Sequence, residues 1–276
     1  MKSTAHPSSV APRAFFAGSD GDGPLVPLPH SSSGWGPDQL QGPAITGLLT
    51  RAAGRLAAEL RPELRAARIS FDLFRTVRLA PTEVTTAVIR NGRRFLLVDA
   101  HLAQGGEDRA RAHAVFLAPS ENPSGATWSR SEDLRVPDSA TPANPFGRLF
   151  AHGNAAWTAD ASADTSADRK FVWQRPLRVV EGDTPTPLDL LGCAADVASL
   201  AVHWGSHGVQ FINVEVTVTF SRLPTLDGIG LASDAHVADD GISVGTAVLY
   251  DRLGRLGTAT VTAVAQAEAA RAELGV

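Results

Sequence analysis

The same order of parts appears twice in this sequence, once on each side of a single low-complexity segment. That segment, residues 119–168, is rich in Pro, Ser, Ala and Asp and ends in ADASADTSAD. Such a composition buries little apolar surface and is typical of a linker or a mobile loop. Each flank holds one helical pattern followed by several strand-like runs. We therefore predict one unit over residues 1–118, a linker over 119–168 and a second unit over 169–276.

The first half begins with a predicted helix in which Pro43 suits the first helical position, where no backbone donor is needed. Three strand-like runs follow the helix: ARISFDLFRTV, EVTTAVIRNGRRFLLVDAHLA and RARAHAVFLA. Asn91-Gly92 in the second run is a favourable pair for a hairpin turn. The helix is predicted from apolar residues at helical spacing, namely Ile45, Leu48, Leu49, Ala52, Ala53, Leu56 and Leu60.

The second half repeats this arrangement. Thr186 is a favourable N-cap, Pro187 takes the first helical position, and Asp189 can complete a capping box. After the helix come VQFINVEVTVTF, a pair of strands turning at Asp239-Asp240-Gly241, and LGTATVTAVAQ. The helix is predicted from Leu188, Leu191, Ala195, Ala198 and Val202.

One long helix followed by antiparallel strands defines the fold of each unit. A sheet with one apolar face needs a helix laid across that face. FFAGS and FVWQRPL can supply a leading strand to each unit, and joining two units edge to edge hides one edge of each sheet. The predicted fold is α+β, a double hotdog: two antiparallel sheets, each wrapped around one long helix and joined into a continuous sheet.

Composition and charge exclude several classes of function. The chain of 276 residues has a net charge of −4, so it lacks the electrostatic footprint of a nucleic-acid-binding protein. We also expect no membrane association, because there is no basic amphipathic stretch and no apolar run of roughly 20 residues. The N-terminus has no continuous apolar core typical of a secretory signal. The single cysteine, Cys193, fits a reducing compartment, and we expect a soluble cytoplasmic protein.

The run TPLDLLGCAADVASLAVHWGSHGVQFINVEVTVTFSRLP carries several motifs in a fixed order, and this order resembles the acyl-CoA thioesterase II-like family, most closely its actinobacterial thioesterase-like branch. In the C-terminal hotdog of that family, a helix carrying Ala-Ser-Asp leads through an HG-containing loop to a strand that ends in an aromatic residue, Arg and Pro. The run in this chain has the same order. In the first half, LQGPAITGLLTRAA and RNGRRFLLVDAHLAQGGEDRARAHAVF resemble the N-terminal hotdog, with Asn91 in place of the family's Asp. The matching C-terminal positions are Asp196, His207-Gly208, Phe220, Arg222 and Pro224.

The resemblance implies hydrolysis of acyl-CoA by a water that an Asp, a Thr and a Gln of the second hotdog hold. Strand-to-strand alignment puts these positions on Glu215, at or near His236, and on Thr262. Glu215 would be the base, because a carboxylate with an ordinary pKa near 4.3 is ionised at pH 7 and can accept a proton from water. His236 could share that water, and the Thr262 hydroxyl could bind it.

Each of the three catalytic candidates also has an ordinary structural interpretation. Val214, Val216, Val218 and Phe220 alternate with polar residues, which predicts that Asn213, Glu215, Thr217 and Thr219 share one polar strand face. Glu215 could simply face water there, His236 could be a surface residue of an edge strand, and strand threonines such as Thr262 are common.

Two further residues are predicted to bind substrate. Gly42 begins the first helix, where free amide groups can bind a thioester oxygen or a phosphate. Asp196 lies in the apolar helix segment AADVASLAV, so its carboxylate could face a pocket or cap a nearby strand. The alternatives are a plain turn glycine and an acid on a half-polar helix surface.

Other signals predict no metal and no cofactor. GISVG matches the G-x-S-x-G pattern of serine hydrolases, but that elbow requires a following helix, whereas TAVLYD reads as a strand. His203 and His207 lack a third ligand with zinc-like spacing. We therefore predict a thioester hydrolase that acts on acyl-CoA or another acyl thioester. The alternative is a hotdog protein that binds an acyl group without catalysis, and a hydratase is ranked last. Hotdog sheets commonly associate, so a homo-oligomer is expected.

Overall fold

The computed structural model describes residues 13–18, 23–131 and 134–266, which contain two long helices and a series of β-strands. The outer parts of the two predicted units, 1–12 and 267–276, lie outside the described residues. The helices are α1 (Gly42–Leu60) and α2 (Pro187–His203). The strands are β1 (Ala14–Ala17), β2 (Val26–Pro27), β3 (Ser32–Ser33), β4 (Gly36–Leu40), β5 (Arg65–Asp72), β6 (Glu83–Gly92), β7 (Phe95–Gln104), β8 (Glu107–Leu117), β9 (Arg148–His152), β10 (Lys170–Gln174), β11 (Arg178–Val180), β12 (Trp204–Gly205), β13 (Gly208–Val209), β14 (Phe211–Phe220), β15 (Ile229–Asp239), β16 (Ile242–Asp251) and β17 (Gly254–Ala265).

Ten of these strands form one antiparallel sheet in the order β6-β7-β8-β5-β14-β17-β16-β15-β10-β9. The two halves of the chain join where β5 pairs with β14, with Phe71 opposite Val216 and Ile69 opposite Val218. These four side chains are buried on the sheet face that carries the helices. The double hotdog with a continuous sheet, predicted from the sequence, is therefore confirmed.

The two helices lie side by side on that sheet face and approach each other closely through glycines. A methyl group added at Gly47 would come within 2.6 Å of the Cys193 sulfur, and one added at Gly192 would come within 2.5 Å of Thr50. Larger side chains at these positions would force the helices apart. The close approach brings the start of α1 next to the middle of α2.

The helix starts match the sequence predictions unequally. At α2, the Asp189 N–H donates to the Thr186 hydroxyl over 3.1 Å while the Thr186 N–H donates to the Asp189 carboxylate over 2.9 Å, so the predicted capping box is confirmed. Helix α1 begins at Gly42, as expected, but Pro43 is its second residue and not its first. Its N-cap residue, Gln41, makes no capping hydrogen bond with its side chain.

One of the two predicted hairpin turns is wrong. Asp240 and Gly241 have φ values of 46° and 75° between β15 and β16, as the turn prediction requires. Asn91 and Gly92, in contrast, end strand β6, and the chain turns two residues later, at 93–94. Gly92 pairs with Phe95, and Arg61 donates to the Asn91 side chain over 2.5 Å and to the Gly92 carbonyl over 2.7 Å, so both residues are held in the strand.

The segment predicted as a linker contains a strand of the main sheet. Strand β9 pairs with β10 at one end of the sheet and buries Leu149, Phe150 and Ala151. The Pro- and Ser-rich flanks dominate the composition and conceal this short apolar run. The leading strands differ as well: FVWQRPL supplies β10 of the main sheet, whereas FFAGS supplies β1 of a separate three-stranded sheet with β11 and β2. Within the described residues, neither helix is long and apolar enough to cross a membrane.

The helix crossing leads to a test of stability. Gly192→Ala should lower the free energy of unfolding by about 1–3 kcal/mol, although alanine favours helix, because its methyl group would overlap Thr50. Gly54→Ala is the matched control, since a methyl group there meets chiefly the flexible end of Leu188. Urea unfolding of both variants measures the difference; equal stabilities would contradict the close crossing.

Candidate active site

A pocket of about 330 Å³ lies where the start of α1 meets the middle of α2. Strand β9, the beginning of β14 and the segment before α1 complete its walls. Its lining combines aromatic rings with a few polar groups, the composition expected of a small-molecule site. The residues that matter for chemistry are Gln41, Gly42, Arg148, Asp196 and Asn213, beside Trp35, Phe146, Phe150 and Trp204.

The Asp196 carboxylate lies directly against the first residue of α1. A methyl group built on Gly42 would come within 2.1 Å of the Asp196 carboxylate, so only glycine fits there. The two residues predicted from the sequence to bind substrate are thus neighbours in one pocket. The side chain of the N-cap residue does not cap α1, and Pro43 has no N–H. The Ala44 and Ile45 N–H groups donate to the Gln41 carbonyl, so the donor that the first turn can offer a ligand is the Gly42 N–H.

Asn213 holds the Asp196 carboxylate through an irregularity in β14. The Asn213 amide donates to Asp196 Oδ1 over 2.8 Å. Asn213 is paired with Ala263 and Glu215 with Thr262, so one extra residue, Val214, lies between consecutive pairs. This bulge turns Asn213 toward the helices, whereas strict alternation predicted that Asn213 and Glu215 share a face.

Burial sets the protonation behaviour of the pocket. Burial raises the pKa of Asp196, and the Asn213 hydrogen bond and the Arg148 charge act against this shift. For Arg148, burial lowers the pKa to about 10, opposed by the Asp196 charge, so its guanidinium remains cationic at neutral pH. An acid with a raised pKa beside a fixed cation is an arrangement typical of catalytic sites.

Arg148 is held in the pocket by two amide side chains. Its Nε donates to Gln174 Oε1 over 3.1 Å and its Nη2 donates to Gln41 Oε1 over 3.3 Å. The guanidinium lies 5.5 Å from the centre of the Phe146 ring. Gln41 in turn donates to the His30 carbonyl over 2.6 Å, so its side chain is occupied in the pocket rather than in capping α1.

Glu215 and Thr262 lie together, but on the other face of the sheet. The Thr262 hydroxyl donates to Glu215 Oε2 over 3.2 Å, and the Thr217 hydroxyl donates to Oε1. The adjacent residues Val216 and Val261 are fully buried under the helices, so Glu215 and Thr262 point away from them. Neither residue reaches the pocket that contains Asp196.

His236 is separated from Glu215 and belongs to a different cluster. Strands β17 and β16 lie between β14 and β15, a separation of roughly 14 Å at ordinary strand spacing. His236 Nε2 bonds the Ser243 hydroxyl at 2.8 Å, and Ser243 bonds His203 Nε2 at 3.0 Å. His203 and His236 border a second cavity of about 570 Å³ at the end of α2. The predicted meeting of Glu215, His236 and Thr262 around one water is therefore not formed.

The remaining sequence signals have structural explanations. Ser243 of the GISVG motif is buried within β16, and the strand continues to Asp251 without a helix. His203 ends α2, while His207 lies beyond it and contacts Ser206. Among the residues that the structure describes, there is no group of three or more His, Cys, Asp or Glu side chains that could hold a metal ion.

Comparison with protein families identifies the class of this fold and then the family. The model of an acyl-CoA thioesterase N-terminal domain matches residues 31–117, and that of an acyl-CoA thioesterase C-terminal domain matches residues 130–264. The chain is thus a thioesterase-like protein with two hotdog halves. It belongs to the acyl-CoA thioesterase II-like family. A search of curated proteins finds no match.

Solved structures share the fold at low sequence identity. The tesB protein of Mycobacterium avium subsp. paratuberculosis is 14% identical, with 91% of this chain and 95% of that chain covered and a TM-score of 0.64. The acyl-CoA thioesterase II TesB2 of Mycobacterium marinum is 14% identical, with 82% and 90% covered and a TM-score of 0.58. A hot dog fold protein of Alicyclobacillus acidocaldarius is 18% identical, with 83% and 92% covered and a TM-score of 0.59.

The raised pKa of Asp196 predicts how stability changes with pH. A carboxyl whose pKa is higher in the folded than in the unfolded state stabilises the fold below its unfolded value, about 3.9, and this contribution is lost as pH rises through the folded value. Asp196→Asn removes the titration and keeps the shape. As pH rises through this window, the free energy of unfolding of the parent should therefore fall relative to that of the variant. A difference that stays constant from acid to neutral pH would contradict the shift.

Proposed function

We propose that this protein hydrolyses an acyl-CoA thioester in the pocket between Gly42 and Asp196. The observation that carries this proposal is the contact of the Asp196 carboxylate with the first residue of α1. This contact gives one small pocket both a base and a helix N-terminus. Membership of the acyl-CoA thioesterase II-like family supports the substrate class.

Asp196 acts in this mechanism as the general base. Its raised pKa lies closer to neutral pH than that of an exposed carboxylate, so it accepts a proton from water more readily once ionised. The Asn213 amide fixes the orientation of the carboxylate. The water oxygen attacks the thioester carbonyl carbon as its proton passes to Asp196.

The start of α1 stabilises the negative charge that develops on the carbonyl oxygen. A Gly42 N–H at a helix N-terminus carries a partial positive charge and costs no reorganisation during the reaction. When the tetrahedral intermediate collapses, the carbon–sulfur bond breaks and the thiolate takes the proton from Asp196. The products are the carboxylic acid, which ionises in water, and the thiol of CoA.

The sequence predicted that Glu215, His236 and Thr262 catalyse the reaction. That assignment stays a prediction, and the mechanism based on Asp196 competes with it. A specific observation keeps the non-catalytic acyl-binding alternative open as well: the positions that match the family's Asp, Thr and Gln carry Glu215, His236 and Thr262 here. A pure binding protein would be stabilised by acyl-CoA in thermal melts but would release no free CoA.

Location and self-association are also proposals. Cys193 is free and buried, which is consistent with our proposal of a cytoplasmic protein.

On the outer sheet face, Ile212 pairs with Val264, and Val264 pairs with Ile242; the exposed fractions of Ile212, Val264 and Ile242 are 38%, 40% and 59%. An apolar row of this kind supports a homo-oligomer. Sedimentation equilibrium of the parent and of Ile242→Lys measures it.

Two carboxylate variants separate the competing mechanisms. Asp196→Asn should lower kcat for acyl-CoA hydrolysis by about 10²–10⁴-fold, because the general base is lost. Glu215→Gln should leave kcat within a few-fold of the parent, because Glu215 faces away from the pocket. The measurement is free CoA released per enzyme, over a panel of acyl chain lengths. The reverse pattern would assign the chemistry to Glu215 instead.

Gly42 provides a second test through its contact with the base. Gly42→Ala should reduce kcat/KM by about a hundredfold, because its methyl group displaces the Asp196 carboxylate by the order of an ångström. Gly205→Ala is the matched control, since a methyl group there meets no atom within 4 Å. Full activity in Gly42→Ala would separate the start of α1 from the reaction.

A further inference from the structure

Arg148 brings a partly buried positive charge into the pocket without a negative partner in contact. Among the residues that the structure describes, no carboxylate oxygen lies within the 4.0 Å of an ion pair with its guanidinium, although Asp196 lines the same pocket. Its hydrogen-bond acceptors are the uncharged amide oxygens of Gln174 and Gln41. A partly desolvated cation without a paired anion is costly, so a ligand that supplied the anion would be attracted to it, less the cost of desolvating the ligand's own charge.

The surroundings of Arg148 fix its guanidinium as a rigid donor. Phe146 lies 5.5 Å away in a cation–π contact. Gln174 is itself immobilised, because its amide group donates to the Phe146 and Arg175 carbonyls over 3.0 Å and 2.7 Å. Nη1 makes no hydrogen bond to any residue that the structure describes. A planar guanidinium held in this way matches the two oxygens of a carboxylate.

The size and lining of the cavity limit the acyl group. At about 330 Å³ the cavity is at the small end of ligand sites, so it suits a short acyl group better than a long hydrocarbon chain. A hydrocarbon chain placed against Arg148 would displace water from the guanidinium without offering it a hydrogen-bond acceptor, which is unfavourable. The aromatic side chains of Trp35, Phe150 and Trp204 provide the apolar contacts for the remaining carbons.

We propose that Arg148 binds a carboxylate group of the ligand in this pocket, which makes thioesters of short dicarboxylic acids the preferred substrate class. The inference rests on the proposed thioester hydrolysis and adds the chemistry of the acyl group. The same guanidinium could receive a carboxylate from a second source, the acid that hydrolysis itself generates. The shared chemistry is a carboxylate at Arg148, and the two sources are separable by experiment.

Asp196 has a predictable influence on this binding. An ionised Asp196 shares the pocket with the guest and repels a second carboxylate, while it also attracts Arg148. Removal of its charge in Asp196→Asn should therefore tighten the binding of a carboxylate at neutral pH. An Arg148 variant should have the opposite effect.

Direct binding of free acids tests the proposal without any turnover. Isothermal titration of the parent with glutarate, pentanoate and pentanamide compares two, one and no carboxylates on five carbons. Arg148→Gln should weaken glutarate binding by about 10- to 100-fold, the effect of a lost charge-assisted hydrogen bond. Arg148→Lys retains the charge without the planar fork and should restore part of the affinity. Arg94→Gln, which alters an exposed arginine bound to Ser120, is the control.

The outcomes distinguish the sources of the carboxylate. If only glutarate depends on Arg148, the guanidinium reads a second carboxylate of the acyl group. If pentanoate depends on it equally, the guanidinium binds the acid that hydrolysis forms, and the dicarboxylate preference is overturned. If no acid depends on Arg148 in a variant whose circular dichroism matches the parent, carboxylate binding itself is overturned. In that last case, hydrolysis of an acyl-CoA whose acyl group is uncharged would still support the proposed function. Conversely, if acids bind in an Arg148-dependent way but no acyl-CoA is hydrolysed, the proposed function is overturned and the carboxylate site stands.

Discussion

The close approach of two helices on one face of a continuous sheet is the constraint on which the pocket depends. Gly47 and Gly192 allow the contact, since any side chain at either position would overlap Cys193 or Thr50. The same approach sets the first residue of α1 against the carboxylate of Asp196. A base from one half of the chain and a helix N-terminus from the other half thereby share one small volume. Neither half alone contains this combination.

Burial makes the pocket chemically different from the outer face of the sheet. Asp196 and Glu215 are both carboxylates near the start of β14, yet they have different partners. Asp196 belongs to α2 and lies beside Asn213 and near the Arg148 charge, and burial raises its pKa. Glu215 lies among threonine hydroxyls, with Thr262 and Thr217 as donors on the opposite face. The side-chain chemistry is the same, and the sheet face decides which acid can meet a substrate.

Local rules recovered much of the fold from the sequence, because they act within a few residues. The Thr186–Asp189 capping box and the Asp240–Gly241 turn depend on short-range geometry, and both are present. The need to hide sheet edges predicted that the two units join edge to edge, although not which strands meet; the structure joins them through β5 and β14. The placement of Glu215 in a pocket failed for a different reason. Alternation with the buried Val216 and Val218 already places Glu215 on the outer face, so the strand-to-strand alignment chose an acid on the wrong side of the sheet. The bulge turns Asn213 inward instead, and no residue type in FINVEVTVTF marks it.

Composition concealed the other half of the site. Arg148 lies on β9, a strand of five residues inside a segment whose Pro, Ser and Asp content predicts a loop. The only local signal is the apolar run Leu149, Phe150 and Ala151, which is too short to outweigh its flanks. Long-range pairing with β10 is what stabilises it. A strand defined by its partner rather than by its own sequence cannot be found by local rules.

The bulge at Val214 also links the backbone of β14 to the chemistry of Asp196. Without the extra residue, Val214 would take the inward position and Asn213 would lie beside Glu215 on the outer face. Asp196 would then face an alkyl group, and the hydrogen bond that counteracts the effect of burial on its pKa would be lost. The carboxyl would then stay protonated to higher pH than it does beside Asn213. One inserted residue thus supplies the amide that keeps a buried acid ionisable, and Arg148 contributes to the same balance from the far end of the sheet.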